Sequence, residues 1–548
     1  MTNKEYADIL LPNINKTIED YENMYPKRNL ADNAIVTRYA PSPTGFVHMG
    51  ALFSAFIASK MAKQTDGVFF LRIEDTDKKR EVENGVSGII NDLRNYGIVI
   101  DEGMTSETEW IGEYGPYIQS HRGEIYQTFA KHLIINDLAY PCFCTEEDLE
   151  NIRKEQEIVK DRLGYYGKWA RDRYLSKEDV IKKIENGEKY VIRLKSPGRF
   201  ENKVVYDDLV KGKLELPEND LDIVIIKGDG LPTYHFAHLV DDYLMHTTHV
   251  IRGDEWLPSV PIHLQLFKVF GFKAPKYAHI APLLKEENGV RRKLSKRKDP
   301  EAAISFYHEK GIPTEAVLLY LCTVANSNFE MWYLQNKDKT VDDFKLEFKK
   351  ISSSGSLFDV EKLLNISRNY ISLLKASEVY EKTLEYSKIY DEELYNLLTK
   401  YKDYSINVLN IEREQKKPRK DLAMFADVKN ENWYMYDELF TNLEYNWDSI
   451  NDINEIKTIL NTYIEKYYDE TDDKDTWFNK MKELSFELGY AKEVKEYKEN
   501  PDNYKGHVGD ISMVLRIALT TKTMTPDLYE IMRLLGKDRI KERFSKIK

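Results

Sequence analysis

The segment AIVTRYAPSPTGFVHMGALFSAFIASKMAKQTDGVFFLRI, residues 34–73, opens on a β-branched run from Ala34 to Tyr39. It then sets Leu52, Phe53, Phe56, Ile57 and Met61 on one helical face within 51–63 and closes on a second apolar run from Val68 to Ile73. Strand, helix and strand in that order imply two parallel strands joined by a right-handed crossover. Ligands of such sheets sit beyond the carboxyl ends of the strands. The stretch after Tyr39 and the stretch from Arg72 to Asp77 are therefore the first places to look for a site.

The same grammar returns further on. DIVIIK (222–227) reads as a strand, GDGLP (228–232) as a turn, Tyr234 to Asp242 as a helix, THVIR (248–252) as a strand and Pro258 to Phe270 as another helix. Residues 136–220, of mixed composition, lie between the two sets. A Rossmann-type parallel sheet split by an inserted α/β domain accounts for this order. Beyond residue 300 glycine thins out and Lys/Glu/Tyr/Leu segments of helical periodicity dominate, so an all-α C-terminal half is expected. Residues 1–32 carry Ile9, Leu10, Ile14 and Ile18 at near-helical spacing, which suits a helical extension packed on the body.

At 548 residues and 42% hydrophobic, the chain can hold several domains with real cores. Its 80 Lys and Arg against 92 Asp and Glu leave a net charge of −12. That argues against binding polyanions through bulk charge and puts the weight on local basic patches. Three cysteines, Cys142, Cys144 and Cys322, cannot build a disulfide framework, and MTNKEYADIL has no basic run leading into an apolar one. A cytoplasmic location is expected. Even VLLYLCTVA (317–325) soon meets Asn and Glu, short of the ~20 apolar residues a membrane span needs, so no membrane partner is expected.

Three segments carry chemistry. In RYAPSPTGFVHMGA (38–51) two prolines stiffen the turn, and Gly50 opens a helix whose free N–H groups can hold an anion. His48 could donate to a phosphate there, and Gly50 lets a flat base lie against the backbone; the plainer reading is a stiff turn with a capping histidine. In RIEDTDKKR (72–80), Asp75 and Asp77 suit helix caps, and Glu74 suits gripping an amino group. RRKLSKRK (291–298) has six basic residues in eight positions and calls for an anionic partner or a solvated loop.

PSPTGFVHMG, IEDTD and KLSKR, in that order and spread over a split α/β pattern, resemble the signatures of the class I aminoacyl-tRNA synthetases. His48-Met49-Gly50-Ala51 is similar to the HIGH box and Lys293-Leu294-Ser295-Lys296-Arg297 to the KMSKS box. GPYIQSHR (115–122), AYPCFCTEEDL (139–149), GLPTYHFAHLVDD (230–242), VIRGDEW (250–256) and LRIALT (515–520) resemble the bacterial glutamyl-tRNA synthetases and extend the likeness over most of the chain.

The resemblance implies an ATP-dependent ligase that uses ATP, Mg2+ and L-glutamate and charges tRNA(Glu), with tRNA(Gln) as the further candidate, acting as a monomer. It implies catalytic roles for His48, Lys293 and Lys296 through position and charge, since a carboxylate nucleophile needs no base at neutral pH. Thr44, His48, Gly50, Glu255, Leu294 and Lys296 are the implied ATP contacts, and Arg38, Ala40, Ser42, Glu74, Tyr234 and Arg252 the glutamate contacts. Arg252 decides between glutamate and glutamine, because an amide would leave that guanidinium unpaired in a closed pocket.

The implied domains are an extension (1–32), a catalytic domain in two halves (33–135 and 221–272) around an acceptor-end-binding insertion (136–220), a stem-contact domain (273–372) and a helical anticodon-binding domain (373–548). Arg80, Arg413, Lys416, Lys417, Arg419 and Lys420 are candidate tRNA contacts. His238 departs from the asparagine of many relatives, and its role stays open. Many relatives also bind zinc through a CxC pair and a further cysteine. Here Trp169 stands in YYGKWAR, and two thiolates without a third soft ligand lead us to expect no structural zinc.

Two rival readings fit the sequence less well. A paralogue that glutamylates an anticodon base lacks an anticodon-binding half, whereas more than 170 residues follow residue 372 here. A catalytically dead tRNA-binding scaffold should have lost at least one of His48, Glu74, Arg252 and Lys296, and all four are present.

Overall fold

Each of the two helices before the first strand is opened by a threonine. In the computed structural model, which describes residues 1–548 apart from 46, 78–81, 296, 442, 449 and 548, the Thr2 and Thr17 hydroxyls accept from the N–H of Glu5 and Asp20. Those carboxylates return a bond to the threonine backbone. The helices, α1 (Asn3–Leu10) and α2 (Ile18–Met24), lie against a later helix, residues 123–135, whose Lys131 Nζ donates to Ile14 O at 2.6 Å. Arg28 pairs with Glu102 at 2.6 Å and stacks 3.9 Å over Tyr114. The N-terminal segment is packed on the body, as its spacing suggested.

The β-α-β reading of 34–73 holds. Strand β1 (Val36–Tyr39) pairs parallel with β2 (Val68–Leu71) in the register Val36↔Val68 to Tyr39↔Leu71, and α3 (Met49–Lys63) crosses between them. Leu52, Ala55 and Ile57 of α3 are wholly buried. Each large side chain taken from water there contributes about 2 kcal/mol. The sheet continues through β3 (Glu102–Met104) to an antiparallel edge strand, β4 (Trp110–Ile111). Gly103 must be glycine: it has φ +121°, and a Cβ there would meet Leu71 O at 2.2 Å. After α4 (Gly85–Asn95) and α5 (Gly123–Ile135) the chain leaves this sheet.

Strands β5 (Ala139–Cys142), β6 (Val191–Leu194) and β9 (Val224–Ile226) form a second, antiparallel sheet, with α6 (Glu146–Ile158), α7 (Lys177–Glu185) and the hairpin β7 (Lys203–Asp208)/β8 (Gly212–Pro217) between them. DIVIIK was expected in the parallel sheet. It pairs with β6 instead, because an apolar run does not specify its partner, and the turn closed by Gly230 at φ +82° ends the strand after three residues.

The chain then returns through α8 (Tyr234–Leu244), β10 (His249–Gly253), α9 (Val260–Phe270) and β11 (Lys276–Ile280), with β10 and β11 parallel. Thr248 N–H donates to Val36 O at 3.0 Å, setting β10 beside β1. Strands β12 (Leu283–Glu287) and β13 (Val290–Lys293) are antiparallel, and β14 (Ser356–Leu357) joins β12.

The chain divides into two compact units, Met1–Phe306 with Leu318–Asp359, and Tyr307–Val317 with Val360–Lys548. Among the described residues the second unit contains helices and no strand. One of its cores gathers Val379, Tyr380, Leu398 and Leu409, and another gathers Ile456, Met481, Leu515 and Ile531.

Candidate active site

A cavity of about 620 Å³ opens in the first unit at the carboxyl ends of β1 and β10 and the start of α3. Arg38, Ala40, Ser42, Glu74, Tyr234 and Arg252 line it, and so do Thr44, His48, Gly50, Glu255, Lys293 and Leu294. The residues singled out from the sequence for small ligands thus meet in one chamber, apart from Lys296, which lies outside the described residues.

One side of the chamber is built on buried ionic alternation. Arg72, with no solvent exposure, donates to Asp242 Oδ1 at 2.8 Å and to Glu74 Oε1 at 3.1 Å, and Arg38 Nε reaches the same Asp242 oxygen at 3.2 Å. Burial works against the Asp242 charge, but Arg38 and Arg72 overcome it and hold the group below the usual carboxylate range. Burial wins at Glu74, whose carboxyl is pushed up despite Arg72 and Arg38. Arg72 and Asp242, which position these groups, were not singled out from the sequence. Their signal lay in the unexplained acids of the VDD run (240–242) on an apolar helix.

Arg252 is different. It lies buried next to the end of β10, with Tyr234 Oη at 3.2 Å, His279 Nε2 at 3.1 Å, His263 Nδ1 at 3.4 Å and Trp256 O at 3.4 Å. Among the described residues no carboxylate lies within ion-pairing distance of it. Burial and the nearby cation hold His263 well below its ordinary value, and burial likewise lowers His279, so both imidazoles are neutral acceptors. A buried guanidinium facing only neutral partners is costly until an anion arrives. His238 is fully buried behind the wall, with Nε2 at 3.1 Å from Tyr277 Oη and Nδ1 at 3.1 Å from Asp242 Oδ2. It braces Asp242 and does not line the cavity.

The other side is built on a helix start. His48 is the N-cap of α3, and its Nδ1 accepts from Ala51 N–H at 3.1 Å. Capping through Nδ1 puts the ring proton on Nε2, so the capping and donor readings hold together. A Cβ at Gly50 would press the His48 ring at 3.3 Å, which adds a second reason for glycine there. The His48 backbone also bridges to Ala303, just past the basic loop.

That loop is held from within. Asp299, almost wholly buried, accepts from Arg292 Nη1 at 2.6 Å, Arg292 Nη2 at 2.8 Å and Ser295 N–H at 2.9 Å. Arg292, chiefly, holds the Asp299 carboxyl far below the usual range. One cation of the RRKLSKRK run is therefore spent on loop geometry, and Lys293 pairs with Glu255 at 3.4 Å.

Several sequence expectations need correction. Asp75 does not cap the helix that follows it, since α4 starts only at Gly85; it accepts from Ser120 N–H at 2.8 Å, in the first turn of the short 3-10 helix Gln119–Arg122. Arg413 is 2% exposed and donates to Leu409 O and Ile371 O at 2.9 and 2.7 Å, so it ties helices together and is not available to RNA. Arg419 pairs with Asp421 at 2.9 Å, whereas Lys416, Lys417 and Lys420 are exposed. Arg80 lies outside the described residues.

Cys142 Sγ and Cys144 Sγ lie 3.4 and 3.3 Å from Tyr165 Oη, and Asp172 joins them, the ligand-type atoms of Cys142, Cys144 and Asp172 all falling within 4.8 Å of one another. The Cys144 hydrogen bond, helped by Tyr165, lowers the Cys142 thiol against its burial. Asp172, half-buried three residues past Trp169, was missed, because acidic residues are too common in this sequence for spacing to single one out.

This chamber, with a capped helix start on one side and a buried guanidinium on the other, agrees with the comparisons. The chain matches the family model of the class I tRNA synthetases (E and Q), catalytic domain, over residues 34–365, and an anticodon binding domain over residues 431–548. It belongs to the class I tRNA synthetases of the E and Q group. Glutamate–tRNA ligases of Clostridium perfringens (strain SM101 / Type A) and Acetivibrio thermocellus are 49% and 48% identical over 100% of this chain and 99% and 100% of theirs. A crystal structure of a glutamate tRNA ligase from Elizabethkingia meningosepticum, in complex with its amino acid, aligns at TM-score 0.76 and 26% identity over 94% of this chain and 100% of that one.

Proposed function

We propose that this chain is a glutamate–tRNA ligase. The glutamate α-carboxylate attacks the α-phosphorus of ATP and releases pyrophosphate. A hydroxyl of the terminal tRNA adenosine then takes the glutamyl group and releases AMP. The observation that carries the reading is Arg252, a buried guanidinium on the cavity wall whose partners among the described residues are all neutral, which suits a side-chain carboxylate. Glu74 and Tyr234 face the ammonium end of the amino acid, with Arg38, Ala40 and Ser42 on the β1 side. The α3 N-terminus, His48 Nε2–H, Thr44 and the Gly50 backbone receive ATP, with Glu255 and Leu294 on the far wall, and Lys293 and Lys296 meet phosphate charge. Magnesium enters with ATP as part of the substrate.

In this reading the parallel sheet is a Rossmann-type catalytic domain, the antiparallel sheet and the β7–β8 hairpin are an insertion that receives the tRNA acceptor end, residues 273–372 touch the stem, and the later helices read the anticodon, with Lys416, Lys417 and Lys420 near phosphate. Among the described residues no helix is long and apolar enough to cross a membrane. In this reading the enzyme acts in the cytoplasm as a monomer. No structural zinc is proposed, because the thiols, the Tyr165 hydroxyl and Asp172, which accepts from Phe143 N–H at 2.6 Å, meet one another's bonding needs. Elemental analysis of the purified protein is expected to find no stoichiometric zinc; one zinc per chain contradicts this.

ATP–pyrophosphate exchange with glutamate, run with and without tRNA, tests the function, and charging of purified tRNA(Glu) and tRNA(Gln) completes it. Glutamate-dependent exchange and charging of tRNA(Glu) are expected. No exchange under either condition would leave only a tRNA-binding scaffold.

A further inference from the structure

Arg252 owes its orientation to groups that begin outside the cavity wall. Asp208, the last residue of β7, turns Oδ1 onto the N–H groups of Val210 and Lys211 at 3.0 and 2.9 Å and so closes the β7–β8 turn. Its Oδ2 lies 2.6 Å from His279 Nδ1, and the His279 backbone N–H points at the same carboxylate at 3.2 Å. His279 stands opposite Arg252 in the β10–β11 register, and its Nε2 is 3.1 Å from Arg252 Nε. Asp208 is 3% exposed and His279 not at all. A carboxylate at Nδ1 keeps the imidazole proton there, which leaves the ring's Nε2 lone pair to accept from Arg252 Nε–H. Two-pronged recognition of a carboxylate needs the guanidinium plane set within ~10–20°.

We propose that Asp208 and His279 are positioning residues that orient Arg252 toward the side-chain carboxylate of the amino acid, so that the hairpin turn between β7 and β8 sets the geometry of the specificity pocket. The proposal rests on the reading of this cavity as a glutamate site. Its sharpest probe is Asp208→Asn, which keeps the shape but offers His279 Nδ1 a donor. The imidazole proton then moves to Nε2 and confronts Arg252 Nε–H.

In tRNA charging, Asp208→Asn and His279→Phe are expected to raise KM for glutamate about 10–100-fold, the range lost when the outer partner of a ligand group is removed. KM for ATP should stay within about twofold in both, since the His48 side of the cavity is untouched. His279→Gln, whose amide oxygen can reach the Nε2 position, should recover most of the loss. Folded Asp208→Asn with an unchanged glutamate KM overturns the proposal. So does a parallel loss in both KM values that His279→Gln fails to rescue, which marks a structural role. If the wild-type protein does not charge with glutamate, the functional reading falls by itself. The crystal structure of Asp208→Asn then decides the relay: Arg252 turned away from residue 279 supports it, and Arg252 in its wild-type place overturns it.

Discussion

Arg252→Ala is expected to lower kcat/KM for glutamate about 10²–10⁴-fold and to remove the preference for glutamate over glutamine. Each hydrogen bond between a guanidinium and a carboxylate is worth about 1.5–3 kcal/mol, and a two-pronged pair makes two of them. The wild-type preference has a second source. Glutamine would leave Arg252 buried against His279, His263 and Tyr234, with no anion among the described residues to pair it. Alanine removes both the attraction and the penalty, so the two amino acids should converge in steady-state charging. The protein itself should stay folded, because the cation lost has no ionic partner among the described residues. A variant that still rejects glutamine places specificity elsewhere in the pocket.

Lys296→Ala is expected to slow adenylate formation about 10²-fold or more while KM for glutamate changes little. Charge builds on the phosphates as pyrophosphate leaves, and a cation that meets it there acts mainly in the transition state. Lys296 lies outside the described residues, but the chain on its N-terminal side is fixed by the Ser295 N–H bond to Asp299, and Asp299 is clamped by Arg292. Pre-steady-state adenylate formation separates the rate from binding. Equal losses in rate and in glutamate affinity would contradict a transition-state role.

How far these features could be read from sequence depended on the kind of signal. The β1–α3–β2 unit was legible because an apolar helical face between two apolar runs has few other uses. The turn after Tyr39 and the stretch from Arg72 were legible because they fall where parallel sheets hold ligands, whereas Tyr234, Arg252 and Glu255 were implied by the resemblance to the class I synthetases. DIVIIK was misplaced because an apolar run names no partner strand. Arg413 was misread because a cluster of cations does not reveal which member folds inward; it donates to Ile371 O, 42 positions away. Asp208 and His279 were invisible for a related reason: their work is done across a long sequence separation, 71 residues.

A crystal structure of the protein with L-glutamate bound tests the account most directly. It should show the glutamate side-chain carboxylate against the Arg252 guanidinium, with His279 Nε2 still at Arg252 Nε. A guanidinium turned outward, or a cavity without glutamate at saturating concentration, would contradict it.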